Sequence, residues 1–106
     1  MIVITSDTIS GKKVTKSLGL VRGNTIRARH VGKDILAMFR MIVGGEVHEY
    51  TKMLAEAREQ AIDRMIEEAH TLGADAVVTV RFMTSMVASG AAEILCYGTA
   101  VVMEEE

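Results

Sequence analysis

The stretch from Gly44 to Val80 constrains the fold of this chain more than any other part of its sequence. Between Glu46 and Leu72, apolar residues recur every three or four positions, the spacing that predicts one face of an α-helix. They are Val47, Tyr50, Leu54, Ala57, Ala61, Met65, Ala69 and Leu72. Such a helix would be roughly 40 Å long, whereas a domain of this size is roughly 26 Å across. We therefore expect part of the helix to reach past its own sheet.

Four segments have the β-favouring composition and the turn boundaries of strands. They are residues 1–4, 18–31, 76–83 and 93–103. In the second segment, Gly19 and Gly23 offer positions for a bulge at which apolar residues can change from one face to the other. The fourth is apolar on both faces and needs cover on both. Small and polar residues at 84–92 predict a loop between the last two strands.

A shorter helix is predicted before the long one. Its apolar residues share one helical face and are Ile35, Met38, Phe39, Ile42 and Val43. Asp34 suits its N-cap, and the paired Gly44 and Gly45 end it. The order is then strand, strand, short helix, long helix, strand, strand, in a single domain of residues 1–106. This order favours an α+β fold, an antiparallel sheet of about four strands covered by both helices, over a doubly wound parallel sheet.

Composition indicates a protein that buries apolar surface against other copies of itself. Apolar residues make up 49% of the 106 residues and the mean hydropathy is +0.24, high values for a small domain with a large wet surface. No apolar run approaches the roughly 20 residues of a membrane helix, and residues 1–6 lack the basic flank and length of a signal peptide. The single cysteine, Cys96, cannot form an internal disulfide. We expect a cytoplasmic protein with no membrane partner.

Charge is distributed unevenly, although the net charge is only −2. Residues 1–40 carry eight basic and two acidic side chains, and residues 41–106 carry four basic and twelve acidic ones. This polarity fits a nucleic-acid surface, or basic and acidic faces that meet within the fold or between subunits. We favour the second interpretation because the chain has no recognised nucleic-acid motif and only four aromatic residues for base stacking.

The candidate metal ligands of the chain are three histidines and one cysteine, with the carboxylates Glu46 and Glu49. Sulfur and imidazole ligands must converge on one metal ion in order to bind it. The sequence has no CxxC, HxxxH or HExxH motif, the spacings that bring such ligands together locally. His48 and His70 are about 33 Å apart on the predicted long helix, so they cannot share a site within one subunit. A ring could gather copies of His30, His48 or Cys96 from several subunits around a divalent metal. Otherwise the histidines are surface residues and Cys96 is a core thiol.

Catalytic motifs are absent from the sequence. Cys96 has no lysine, arginine or histidine among its sequence neighbours to lower its pKa. The chain has neither a nucleophile elbow nor a glycine-rich phosphate loop. We therefore predict that the protein is not an enzyme, and no small-molecule ligand is indicated.

Asp34 and Arg58 are the one charged pair that the sequence predicts. Each begins or faces the corner made by the paired glycines, and each is otherwise a charge among apolar neighbours. We hypothesise an ion pair between them, with two solvated charges as the alternative.

Five short phrases occur in a specific order and cover almost the whole chain. They are Asp34-Ile35, Gly44-Gly45, Glu56 to Ala61, Leu72 to Val78 and Tyr97 to Val102. Together they resemble the YbjQ-like family of small bacterial and archaeal proteins, whose label suggests a heavy-metal-binding domain. The resemblance implies a dodecin-like α+β subunit and a homopentameric ring, and it supplies no ligand set. The residues that it carries over are structural: Asp34, Gly44, Gly45, Arg58, Gly73, Asp75, Tyr97 and Gly98.

Residues and resemblance together predict a ring-forming homopentamer with a binding or scaffolding role and no catalysis. The alternative is a metal-binding protein whose site forms between subunits. A third hypothesis, contact with RNA or DNA, rests only on the basic N-terminal segment.

Overall fold

A computed structural model describes residues 1–28, 47–88 and 91–106. These residues form four strands and one long helix: β1 (Ile2–Val3), β2 (Lys12–Ala28), α1 (Val47–Thr71), β3 (Ala76–Ala88) and β4 (Ala91–Glu105). The strands make one sheet in the order β1-β3-β4-β2. We call the face under α1 the helix face and the opposite one the back face. The predicted α+β fold with four strands is confirmed, whereas the predicted short helix, with Gly44 and Gly45, lies outside the described residues.

β1 lies at one edge of the sheet, beside β3, and runs parallel to it. The other two pairings, β3 with β4 and β2 with β4, are antiparallel. The prediction of a wholly antiparallel sheet is therefore wrong, and the sheet is mixed. The edge beside β3 suits this segment because Val3 packs against the apolar cluster on the helix face and Ile4 against the one on the back face.

The last two strands form a longer hairpin than the sequence predicts. β3 continues to Ala88 and β4 begins at Ala91, so both strands extend into residues 84–92. The prediction of a loop over these residues is therefore wrong. Instead, Thr84 pairs with Ile94 and Ser85 pairs with Glu93. Polar residues are tolerated in this part of β3 because their side chains are exposed while their backbone pairs with β4. Backbone pairing, which local composition does not report, decides the length of the strand.

β2 begins at Lys12 rather than at residue 18. Lys12 and Lys13 pair across the sheet with Glu105 and Glu104, and Nζ of Lys12 lies 3.0 Å from Oε1 of Glu105. Cross-strand pairs of opposite charge stabilise a sheet as apolar pairs do. Apolar alternation alone could not detect this segment because its stabilising contacts are charged.

Gly19 is the position at which the apolar residues of β2 change parity. Its φ is +111°, and the register with β4 shifts immediately before it. Leu18 and Val21 therefore both pack on the helix face. The predicted bulge is confirmed at Gly19. Gly23 keeps the regular register and instead lies directly beneath the backbone of α1.

A second bulge lies in β3 at Thr79. The φ of Thr79 is 56°, in the left-handed region, and the register with β4 shifts just after Val78. Val77 and Val80 consequently both belong to the cluster on the helix face. Gly98 lies opposite this bulge, where an added Cβ would be 2.7 Å from Cγ1 of Val77 and 3.0 Å from the carbonyl oxygen of Val78. The close contact explains why a glycine is required there.

α1 ends as the sequence predicts, at a glycine in the left-handed conformation. Gly73 has a φ of +80°. The amide of Ala74 donates to the carbonyl of Ala69 at 3.1 Å, and the amide of Gly73 donates to the carbonyl of His70 at 3.0 Å. These two bonds form a Schellman motif, which satisfies carbonyls that the helix end would otherwise leave unpaired.

The sheet is longer than the helix that covers it. A helix of 25 residues spans about 38 Å, whereas the molecule extends 56 Å along its longest axis. The expectation that the helix reaches past its own sheet is therefore wrong, because the strands are longer than predicted. α1 packs on β2 and β4 and hardly on β3. No helix in the described part of the chain is long and apolar enough to cross a membrane.

Candidate functional site

Cys96 lies on β4 beneath α1 and is fully buried. Its thiol donates a hydrogen bond to Met65 of α1, with the two sulfur atoms 3.5 Å apart. Burial raises the pKa of the Cys96 thiol above its ordinary value of 9.0 because the thiolate would lose its hydration. The thiol is therefore protonated at neutral pH. Such an environment is typical of an inert core cysteine, whereas reactive cysteines have basic, partly exposed surroundings.

The structure does not bring the other metal candidates to Cys96. His30 lies outside the described residues, and His48 falls at the start of α1, where only the backbone is described. His70 is exposed in the last turn of the helix. Within residues 1–28, 47–88 and 91–106, no three or more histidines, cysteines or carboxylates come together as metal ligands. The described part of one subunit thus contains no preformed cluster of these groups.

The structural residues carried over from the family resemblance lie at turns and close contacts. Gly73 and Gly98 hold the helix end and the hairpin bulge described above. Asp75 joins the helix end to the sheet, since its Oδ2 accepts the amide of Met103 at 3.0 Å. Tyr97 is half-buried on the back face. These residues shape the fold around the sheet and bring no reactive groups together.

The ion pair predicted between Asp34 and Arg58 remains a prediction. Arg58 is exposed on α1. Asp34 lies outside the described residues.

A groove runs between α1 and the helix face of β3, and we call it the helix–hairpin groove. Three adjoining cavities of about 880, 490 and 230 Å³ form it. They are connected by the lining residues that they share: Arg58, Ile62, Phe82 and Thr84. The groove exists because α1 lies over β2 and β4 and leaves β3 uncovered.

The helix–hairpin groove has an apolar floor and a mixed charged rim. Ile62, Val80 and Phe82 form much of the floor. The rim carries two basic and two acidic side chains: Lys52, Arg58, Glu56 and Glu59. None of the described lining residues is a cysteine or a histidine. The apolar floor suits the packing of a polypeptide segment.

Within residues 1–28, 47–88 and 91–106, two edges of the sheet have no paired strand, that of β2 and that of the outer half of β3. β2 pairs with β4 over its whole length and has no described strand on its other side. β1 pairs with β3 only at Ala76 and Val77, and two further amides of β3, those of Thr79 and Val80, bond to the segment after β1. From Arg81 onward, β3 has no described strand on its outer side. Edges of this length are templates for pairing with another chain.

Large apolar side chains are exposed beside these edges, and sequence analysis missed them. They are Leu20, Ile26, Phe82, Met83 and Met86. The signal was present, because Met86 is an apolar residue inside the predicted loop at 84–92. Met86 was missed because the predicted strand ends at Met83, so the residues that follow were not read as alternating between the two faces of a strand. Exposed apolar residues next to open edges make the hairpin the candidate interaction surface of the described chain.

The fold and these surfaces define a small α+β domain in which one helix covers one face of a mixed four-stranded sheet. A family model described as "Putative heavy-metal-binding", that of the YbjQ-like family, matches residues 1–104. The chain therefore belongs to this family, as its sequence phrases predict.

Relatives support the same assignment along almost the full chain. A protein of Methanosarcina acetivorans named "UPF0145 protein" is 66% identical over 101 residues, 95% of each chain. A protein of the same name from Archaeoglobus fulgidus is 59% identical over 101 residues, 95% of this chain and 94% of the relative. A crystal structure of a protein with unknown function from Pediococcus pentosaceus is similar with a TM-score of 0.69 over 98% of both chains, at 15% identity. At that identity the likeness supports the fold alone.

Proposed function

We propose that this chain assembles into a closed ring, a homopentamer, and acts as a non-catalytic cytoplasmic binding or scaffolding protein. The observation that carries the proposal is the pair of open edges on opposite sides of one sheet. β2 forms one of these edges, and the outer part of β3 forms the other. Joining two different edges is a heterologous contact, and repeated heterologous contacts close into a ring when the rotation between subunits allows it.

The shape and surface of the single chain support self-association. Its radius of gyration is 17.6 Å, whereas a compact domain of this length has about 13 Å. Phe82, Met83 and Met86 are 44%, 53% and 69% exposed. Covering such side chains stabilises an assembly, at roughly 25 cal/mol for each Å² of apolar surface removed from water. The copy number of five and the dodecin-like arrangement of the subunit follow the family resemblance and are part of the proposal.

Native mass spectrometry of the purified protein tests the ring. We expect five copies in one species, and a monomer would overturn the proposal. Phe82→Lys should dissociate the assembly because it places a charge beside the open edge of β3. Leu72→Lys is the matched control, since Leu72 is 45% exposed, close to the 44% of Phe82, but follows the helix end. Equal dissociation by both variants would mean that the hairpin is not the interface.

The second candidate is a metal site formed between subunits, which the description of the family model favours. Such a site would use copies of His30 or His48 from neighbouring subunits, because burial of Cys96 in the core excludes the third predicted ligand. Elemental analysis of the same native sample distinguishes it from the first. A stoichiometric metal that survives purification and is lost in His30→Ala or His48→Ala would establish the second candidate, and a metal-free ring would exclude a tightly held metal.

A further inference from the structure

Arg81 lies where the outer edge of β3 changes from covered to open. Its Nη1 donates to the carbonyl oxygen of Thr5 at 2.8 Å and to that of Val80 at 2.9 Å, so the guanidinium lies at this edge. Before Arg81, the segment that follows β1 covers the edge, because the amide of Val80 donates to the carbonyl of Ile4 at 3.0 Å. Arg81 therefore marks the end of the edge that the N-terminal segment occupies.

Beyond Arg81, alternate residues of β3 direct their backbone groups outward. The amide of Val80 points outward, and Arg81 pairs inward with Tyr97 of β4. In a regular strand the amide and the carbonyl of one residue point to the same side, and that side alternates along the chain. The register with β4 is regular from Arg81 onward, so the next residues that point outward are Phe82, Thr84 and Met86.

β2 presents a matching edge on the opposite side of the sheet. β2 and β3 run in the same direction, since both are antiparallel to β4. In strands of one direction, residues whose side chains share a face direct their backbone groups to the same side, because all residues have the same hand. The outward residues of β2 are therefore those with side chains on the back face: Arg22, Asn24 and Ile26. Nη1 of Arg64 donates to the carbonyl oxygen of Asn24 at 2.5 Å and leaves it a second lone pair.

The open parts of the two edges lie at the same level of the sheet. Residues 22–28 of β2 and residues 81–86 of β3 each pair with β4 in one regular register, and both stretches begin opposite Tyr97. The preceding shifts in register lie at Gly19 of β2 and just before Arg81 of β3. A closed ring has no translation along its axis. If that axis runs along the strands, these two stretches face each other between neighbouring copies.

We propose that neighbouring copies join by parallel pairing of residues 82–88 of β3 with residues 22–28 of β2 in the next copy, and that Arg81 fixes where the pairing begins. The inference rests on the proposed ring and names its contact. Rotation about an axis along the strands keeps their direction, so β3 meets a β2 that runs the same way. A strand that continued past Arg81 would meet the guanidinium and then residues 4–6. The bulge at Gly19 bends β2 away from that segment.

Cysteine pairs test the contact, because a disulfide forms only where two Cα atoms lie within about 7 Å. Ser85→Cys is combined in one chain with Ile26→Cys, which lies at the same level and on the same face. Within one chain β2 and β3 are about 10 Å apart across β4, so a disulfide must join two copies. Oxidation of the Ile26–Ser85 double variant should give a ladder of linked chains on denaturing electrophoresis.

The matched control combines Ser85→Cys with Ser17→Cys, since Ser17 is exposed on β2 but precedes the Gly19 bulge. This control should give single chains. Native mass spectrometry of the reduced variants separates the two proposals. A ring whose Ile26–Ser85 variant forms no disulfide, or links no better than the control, would overturn the pairing and leave the ring standing. A monomer would overturn both.

Arg81→Ala in the Ile26–Ser85 double variant tests the role of the arginine. The register can then slip toward the N-terminal segment, so most of the linked chains should be lost. Arg81→Lys, which keeps the charge but not the fork of donors, should give an intermediate yield. Lys16→Ala removes a positive charge elsewhere on β2 and should leave the yield unchanged. Circular dichroism separates a slipped register from lost folding. Full linkage in folded Arg81→Ala and Arg81→Lys variants would overturn this role.

Discussion

Gly23 sets the distance between α1 and β2. An added Cβ at this position would lie 2.5 Å from the backbone nitrogen of Met65 and 2.8 Å from Cβ of Arg64, and it would also meet the carbonyl oxygen of Ala61. Two of these three obstacles are backbone atoms, which cannot rotate away as a side chain does. The helix backbone therefore rests directly on the strand. Because the two lie so close, the hydroxyl of Thr25 can donate a hydrogen bond to the carbonyl oxygen of Ala57 at 3.2 Å.

Gly23→Ala should destabilise the protein by about 2 to 3 kcal/mol, because α1 must move away from β2 to admit one methyl group. Urea denaturation measures the change in the free energy of unfolding. Ser17→Ala, at an exposed position of the same strand, is the control and should change stability by less than about 0.5 kcal/mol. Equal stability of Gly23→Ala and the wild type would show that the helix does not rest on this glycine.

Cys96 makes the stability of the fold dependent on pH in the alkaline range. Its folded-state pKa is raised above the ordinary value of 9.0, so the unfolded chain releases the thiol proton first as the pH rises. The stabilisation is therefore complete below pH 9.0 and is lost as the pH rises through the folded-state pKa. Urea unfolding from neutral to alkaline pH should show a steeper loss for the wild type than for Cys96→Ala. Parallel profiles would contradict this prediction.

Among the elements, the bulge in β3 stores backbone strain. Thr79 is β-branched and has a φ of 56°, a conformation that costs a residue with a Cβ about 1 to 2 kcal/mol. Its amide donates to the carbonyl of Ser6 at 2.9 Å, so the bulge also attaches the N-terminal segment to the hairpin. The strain persists because the pairing on both sides fixes the backbone of this residue.

Thr79→Gly should leave stability unchanged or raise it by up to about 1 kcal/mol, because the relief of strain exceeds the entropy cost of a glycine. Thr99→Gly is the comparison, since Thr99 is a half-buried threonine on the neighbouring strand without a positive φ. That variant should lose about 1 kcal/mol. Thermal unfolding distinguishes the two, and a loss at Thr79 as large as that at Thr99 would argue against the strain.

The elements that sequence could predict are those whose signal is local. The end of α1 at Gly73 and the bulge at Gly19 follow from backbone preferences of single residues, and the apolar stripe of the helix follows from its period. The start of β2 was missed because Lys12 pairs with Glu105, far away in the chain. The end of β3 was missed because Ser85 is held by backbone pairing with Glu93 across the hairpin, which its polar side chain does not indicate. The alignment of Arg22, Tyr97 and Arg81 across the sheet could not be predicted because these residues come from three strands, and only the register makes them cross-strand neighbours.

At the scale of the whole molecule, the sheet reaches beyond its helix and leaves apolar side chains in water. If the ring covers them, folding is coupled to assembly, and the unfolding midpoint must rise with protein concentration. A hundredfold dilution should lower the Tm of the wild type by several degrees. Phe82→Lys should unfold at one temperature at all concentrations. A wild-type Tm that is independent of concentration would contradict a ring held together at the hairpin.

The bulge at Thr79 divides β3 into two halves whose inside–outside alternation is in opposite phase. If Thr79 instead paired as a regular strand residue, Phe82 would turn to the back face and Met83 would turn under the helix. A chain that lacked Thr79 would keep both of these residues on their present faces, because Val78 and Val80 already lie on opposite faces. The extra residue at Thr79 thus decides which side chains in the outer half of β3, Phe82 and Thr84, face the helix–hairpin groove.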